Sequence, residues 1–155
     1  MILQQHNDIA GEWHTLYAEA LNPSAITDKP RIPTHQPALD PVAQQQGNPP
    51  PSRDLRGDVG VHGFWRRDTT AVFDIRVTDT DAASYQWRDP LRVLRSQEDD
   101  KNWLYNDACH QAHYRLTPLV YSVDGLECPE AQAARKQLAS RLSAKGGGTT
   151  LRSVA

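Results

Sequence analysis

The segments Asp58-Val-Gly-Val-His62 and Phe73-Asp-Ile-Arg-Val-Thr78 decide the fold of this chain. Apolar and polar residues alternate in both, which predicts two short strands. Successive side chains of a strand point to opposite faces, so the apolar residues face a core and the polar ones share the other face. A turn near residues 65–70 would pair the strands. Asp58 and Asp74 would then lie on one surface of a small sheet.

A helix follows this pair of strands. Asp89-Pro90 predicts its start, because Asp caps free backbone N–H groups and Pro suits the first helical position. At about 100° per residue, one stripe of the helix carries Leu91, Leu94, Glu98, Lys101, Tyr105, Ala108, Cys109 and Ala112. A lysine inside an apolar stripe is unusual. Lys101 either faces the sheet, or lies at the edge of the stripe with its ammonium group in water.

Length and composition limit the classes of protein. A chain of 155 residues with 38% hydrophobic and 23% charged residues predicts one globular domain. The net charge of −2 argues against a generally basic nucleic-acid binder, so any DNA contact would use a local patch. Two cysteines predict no disulfide framework, and no apolar run has membrane-spanning length. With no recognisable secretion signal, we expect an intracellular protein.

The order of elements predicts an α/β fold with a small mixed sheet flanked by helices. In chain order we expect a helix at 7–21, a weak strand at 31–34, the two strands above, a helix at 89–113, a central strand at 118–123 buried on both faces, and a helix at 129–145. Residues 1–145 would form a single domain with a mobile loop at 38–53. Residues 146–155 would be a flexible tail.

The acidic residues of the two strands offer one set of groups with a chemical mechanism. Two carboxylates on adjacent strands can hold Mg²⁺, or Mn²⁺, while leaving coordination positions for water and phosphate oxygens. A nearby ammonium, here Lys101, could orient a nucleophile or stabilise developing charge. The same residues also fit a solvated strand face whose charges are balanced by Arg56 and Arg76.

Three runs carry a family resemblance: Arg56-Gly-Asp58, Val72–Thr78 and Lys101-Asn-Trp-Leu-Tyr105. Together they resemble the restriction-enzyme-like endonuclease domain of non-LTR retrotransposon polyproteins. The resemblance implies a PD-(D/E)XK core (helix, strands, helix, strand, helix) and Mg²⁺-dependent nicking of DNA. It implies that Asp58 and Asp74 bind the metal, that Lys101 is the catalytic lysine, and that Tyr105 accompanies it. It also implies a nuclear location and an upstream reverse transcriptase.

The chain departs from that family at two positions. Gly57 stands where the family has proline, and Arg76 stands where ordinary PD-(D/E)XK enzymes keep their lysine. Arginine stays charged and cannot act as a base. The alternative hypothesis is therefore a catalytically inactive fragment of the same fold that only binds nucleic acid or a protein partner. A junction-specific or repair nuclease of this fold is a third possibility.

Other polar residues have both functional and structural explanations. The turn residues Trp65, Arg66 and Arg67, together with Arg76, are candidates for nucleic-acid contacts, as are Trp87 and Arg88. A solvated turn explains the first three equally well. Cys109 and His113 have the i, i+4 spacing of half a zinc site, but packing is the simpler explanation. Glu12 and Glu19 of the first helix could extend a metal site or be solvated. Asp79-Thr-Asp81 fits the end of a strand better than a calcium loop.

Overall fold

A computed structural model describes residues 2–32 and 55–150, with side chains as far as residue 146. In these ranges the secondary structure comprises α1 (Ile2–Ala20), β1 (Ile26–Asp28), β2 (Arg31–Ile32), β3 (Leu55–Arg56), β4 (Val59–His62), β5 (Thr70–Thr78), α2 (Pro90–Gln111), β6 (Tyr114–Ser122) and α3 (Pro129–Thr150). The predicted mobile loop at 38–53 lies outside the described residues.

Four of the strands form one mixed sheet in the order β1-β4-β5-β6. The first two pairings are antiparallel, while β5 and β6 run parallel and are joined by α2 as the crossover helix. A separate small sheet pairs β2 with β3. The expected mixed α/β architecture is therefore confirmed.

The sheet is buried on both faces, and β5 shows why. Phe73 and Ile75 point into the main core, to which α1 and α3 contribute Trp13, Tyr17, Ala131, Ala134 and Leu138. Val72 points the other way, into a second cluster with Ile32, Leu116 and Cys109 of α2. Because successive side chains of β5 point to opposite faces, this one strand contributes residues to both apolar clusters. On this face of β5, Asp74 and Thr78 are buried polar residues in a largely desolvated layer, whereas Arg76 is exposed.

The hairpin between β4 and β5 forms as predicted. Val59 pairs with Phe73 and His62 with Thr70. Gly63 has a φ of 78° and its N–H donates to the Thr69 carbonyl at 3.0 Å, which closes the turn. A positive φ of this size strains residues that carry a Cβ, so glycine suits the position.

Three predicted details were wrong. α1 begins at Ile2, because no helix-breaking residue precedes the predicted cap at residue 7. β6 is buried but lies at the end of the strand order, since it pairs with β5 and the segment Leu126–Cys128 returns along its other edge. α3 continues past the predicted stop at Gly146 to Thr150. A flexible tail stays a prediction for 151–155, outside the described residues.

In the part of the chain that the structure describes, no helix combines the length and the apolar character that crossing a membrane requires.

Gly57, at the entrance to β4, is enclosed by its neighbours. A Cβ there would lie 2.2 Å from Val72 Cγ1 and 3.3 Å from the Phe73 carbonyl oxygen. Its N–H donates to the Pro30 carbonyl at 3.0 Å, a bond that proline could not make. Packing and hydrogen bonding at this position therefore favour glycine over proline or a residue with a Cβ.

Gly57→Ala should lower the free energy of unfolding by ~1–3 kcal/mol through this overpacking. Gly11 is the matched control, because a Cβ at this exposed helical position would meet nothing within 4 Å. Gly11→Ala should raise the free energy of unfolding by about 0.5–1 kcal/mol. Urea unfolding of the two variants measures both effects. Equal stability of Gly57→Ala and the native chain would contradict the packing.

Candidate functional site

Asp74 lies in the middle of β5 on the face covered by α2. The residue is only 8% exposed. Burial raises the pKa of the Asp74 carboxyl, because desolvation penalises the charged form, while Lys101 acts in the opposite direction. Asp58 also raises the Asp74 pKa and His6 lowers it, so the charges of all four residues interact. A buried carboxylate in this position needs a cation beside it.

Lys101 supplies that cation. Its ammonium nitrogen contacts Asp74 Oδ2, and the side chains of the pair are 19% and 11% exposed respectively. Tyr105, one helical turn further along α2, holds its ring with the centroid 5.5 Å from the ammonium nitrogen, a cation–π distance. Lys101 therefore points inward from the stripe of α2. The alternative with the ammonium group in bulk water is wrong.

Asp58 immediately precedes β4, beside Asp74 on the neighbouring strand. Its backbone N–H donates to the Phe73 carbonyl at 2.8 Å, which extends the β4–β5 ladder by one residue. Its Oδ2 accepts a hydrogen bond from the Ile75 N–H at 2.7 Å. The backbone of β5 thus fixes both the main chain and the carboxylate of Asp58. The structure brings Asp58, Asp74 and Lys101 together from two strands and one helix.

His6 is a member of this group that sequence reasoning missed. Its Nε2 lies 3.3 Å from Asp58 Oδ2, and the two side chains are 25% and 20% exposed. A cleft of about 330 Å³ opens beside them, lined also by His14 and Lys29. His6 was not among the predicted site residues, because the predicted first helix began at residue 7, just after it. Glu12 and Glu19, the acidic candidates on the same helix, are exposed.

Of the candidate nucleic-acid contacts, Trp65 has a packing role. Its indole N–H donates to Thr117 Oγ1 at 2.9 Å, and Arg115 lies 4.5 Å from the ring centroid. A contact between Trp65 and DNA stays a prediction. Arg66 and Arg67 are exposed in the β4–β5 turn.

The other side chains considered for nucleic acid are exposed as well. Arg76 lies on β5, and Trp87 and Arg88 precede α2. Trp87 is 92% exposed. These positions allow contact with a partner but do not identify one.

The suggested zinc half-site does not form. Cys109 is buried in the α2 layer, and burial raises the pKa of its thiol to about 11. His113 follows the end of α2 with a φ of 57°, so it is exposed and off the helix. Packing explains Cys109. Asp79 also has a structural role, since its Oδ1 accepts from the Asp81 N–H at 3.0 Å where β5 ends.

The oxygen ligands of the site suit a hard divalent cation. Among residues 2–32 and 55–146, no three His, Cys, Asp or Glu side chains form a cluster that could hold a metal ion. Mg²⁺ is commonly bound through one or two carboxylates plus waters and phosphate oxygens. Asp58 and Asp74 supply that number, and Lys101 neutralises part of their charge. The residues present fit Mg²⁺ or Mn²⁺.

Comparison with known proteins found no match for this chain. No protein-family model matches the chain, no curated protein matches it, and no solved structure matches it. The function must therefore be argued from the site itself.

The ion pair can be tested without an activity assay. Lys101→Met should destabilise the protein by about 3 kcal/mol, because it leaves Asp74 buried without its cation. Adding Asp74→Asn should recover most of that loss, since the uncompensated charge is then removed. Lys136→Met, on the exposed surface of α3, is the control and should change stability by less than ~0.5 kcal/mol. Urea unfolding measures all three. A double variant as unstable as Lys101→Met would contradict the pairing.

Proposed function

We propose that this chain is a Mg²⁺-dependent DNA endonuclease domain with a restriction-endonuclease-like core, derived from a retrotransposon. The observation that carries the proposal is the contact between Lys101 and Asp74, with Asp58 coupled to the same carboxylate. Two acids from neighbouring strands and an amine from a helix meet at one place. DNA is the proposed substrate, and an upstream reverse transcriptase the proposed partner in a longer polyprotein.

Asp58 and Asp74 are the residues that would hold the metal ion. When bound, Mg²⁺ polarises a phosphoryl oxygen and lowers the pKa of its bound water. The Asp58 carboxylate is oriented by the Ile75 N–H, so little reorganisation would be needed to present it to a cation. Asp74 lies in a drier environment, where its attraction for a cation is stronger than in bulk solvent.

Lys101 would act as the positively charged group of the site. Its ammonium has three donors, so it can contact Asp74 and also donate to a phosphoryl oxygen or to the attacking water. In that position it stabilises the negative charge that develops as the phosphodiester is cleaved. Tyr105 limits the positions of the ammonium through its ring face. Arg76, exposed on β5, stays charged and has no role as a base here.

The β4–β5 turn is the proposed contact with the DNA backbone. At about 3.4 Å per residue, the four residues of β4 place the turn ~14 Å from Asp58. That distance equals about four base-pair steps of a duplex. Arg66 and Arg67 are exposed in this turn and could neutralise phosphates several base pairs from the cleavage point. They would position the duplex without reading its sequence.

Purified protein should nick supercoiled plasmid DNA in the presence of Mg²⁺ or Mn²⁺ and not with EDTA. Asp58→Asn, Asp74→Asn and Lys101→Met should each lower the nicking rate by about 100-fold or more. Asp100→Asn is the matched control, because Asp100 is an exposed acid next to Lys101 on the same helix. Its nicking rate should equal that of the native chain.

Nicking that is unaffected by Asp74→Asn would remove this mechanism. DNA binding without nicking, under conditions where the native protein is folded, would instead support the non-catalytic alternative.

Replacing both turn arginines by alanine should weaken DNA binding and lower the slope of log K against log [salt] by up to about 2. The reason is that two fewer counterions are released on binding. Fluorescence anisotropy with a labelled duplex over a salt series measures the slope. Lys136→Ala, on α3, is the control and should leave the slope unchanged. An unchanged slope for the arginine variant would place the DNA elsewhere.

A further inference from the structure

We propose that His6 is a positioning residue of the site, which holds the Asp58 carboxylate in the orientation that binds the cation. This inference rests on the proposed function, because it assigns a role toward the same metal ion. His6 belongs to α1, whereas Asp58, Asp74 and Lys101 lie at the β4–β5 pair and on α2.

Two donors converge on one oxygen of Asp58. The Ile75 N–H donates to Oδ2 at 2.7 Å, and His6 Nε2 lies 3.3 Å from the same atom. The bond from Ile75 orients the carboxylate, and a second donor limits its remaining rotation about the Cβ–Cγ bond. A donor from β5 and one from α1 together restrict the orientation of the group. The proposal assigns cation binding to the other oxygen, Oδ1.

α1 holds His6 at a defined place. Trp13 Nε1 donates to the Tyr121 hydroxyl at 2.9 Å, and Tyr17 is fully buried against Phe73 with their ring centroids 4.8 Å apart. Near the start of the helix, Gln5 Nε2 donates to the Val123 carbonyl at 3.4 Å. The helix is therefore tied to the sheet on both sides of His6. A residue on such an element can hold a neighbouring ligand more precisely than one on a loop.

The cleft makes this pair accessible. The cleft, of about 330 Å³, is lined by His6 and Asp58 together with His14, Asp28 and Lys29, whereas Asp74 and Lys101 do not line it. A contact that only joined α1 to the sheet would not need to face such a space. Here the carboxylate lies between a buried strand and an opening large enough for hydrated ions. That arrangement suits a residue that orients a ligand.

The test is Mn²⁺ binding by the full 155-residue chain without DNA, measured by electron paramagnetic resonance and by calorimetry. His6→Ala should weaken Mn²⁺ affinity about 10-fold, the lower end of the effect of removing a group that orients a metal ligand. His6→Gln should restore affinity to within about threefold of native, because its amide N–H can replace Nε2–H. His14→Ala is the matched control, on the same helix and in the same cleft, and should bind as the native chain does.

Each contrary result has a distinct meaning. Native affinity in His6→Ala, or an equal loss in His14→Ala, overturns the proposal while leaving the endonuclease hypothesis intact. A loss in His6→Ala without rescue by glutamine overturns the positioning role, because it indicates that the imidazole itself binds the ion. No Mn²⁺ binding by the native chain overturns both hypotheses. Binding that depends on His6, in a protein that does not nick DNA, supports this inference and removes the proposed function.

Discussion

The burial of a carboxylate in the middle of β5 is the constraint on which the rest of this structure depends. Asp74 is covered by α2, and a charge in that layer is tolerated only with a cation beside it. α2 must therefore lie in the register that places the Lys101 ammonium group beside Asp74. Other polar contacts support the same register: Thr78 Oγ1 donates to Gln97 Oε1, and Glu98 Oε1 accepts from the Glu130 N–H at 3.0 Å. These polar groups, together with the buried Val93, Leu94 and Cys109, fix where this helix lies.

The same constraint places the cluster of charged side chains at one end of β4. Asp58 is held by hydrogen bonds from the backbone of β5 and by His6 of α1. Asp74 is held by α2 from the opposite layer. The two acids thus meet at the boundary between the two helical layers. Each layer contributes one nitrogen-bearing side chain, His6 from α1 and Lys101 from α2, and the β4–β5 pair contributes both carboxylates.

Sequence reasoning recovered the elements that carry strong local signals. The alternation around Asp74 predicted β5, and Asp89-Pro90 predicted the start of α2, whose cap accepts from the Leu91 N–H at 3.2 Å. It could not recover the parallel edge position of β6, because a continuous apolar run looks the same in a central strand and in an edge strand that another segment covers. It also missed His6, because the contact with Asp58 spans 52 residues and no local pattern encodes it.

The covered edge of β6 has a consequence for how the protein behaves in solution. The Cys128 N–H donates to the Val120 carbonyl at 2.9 Å, and the Ser122 N–H donates to the Leu126 carbonyl at 2.9 Å. Backbone groups that could have recruited a strand from another molecule are thereby already used. At the opposite edge β1 is only three residues long, too short to template much pairing. The covered end of the β6 edge and the short β1 edge both limit strand pairing with other molecules, and so oppose fibril growth.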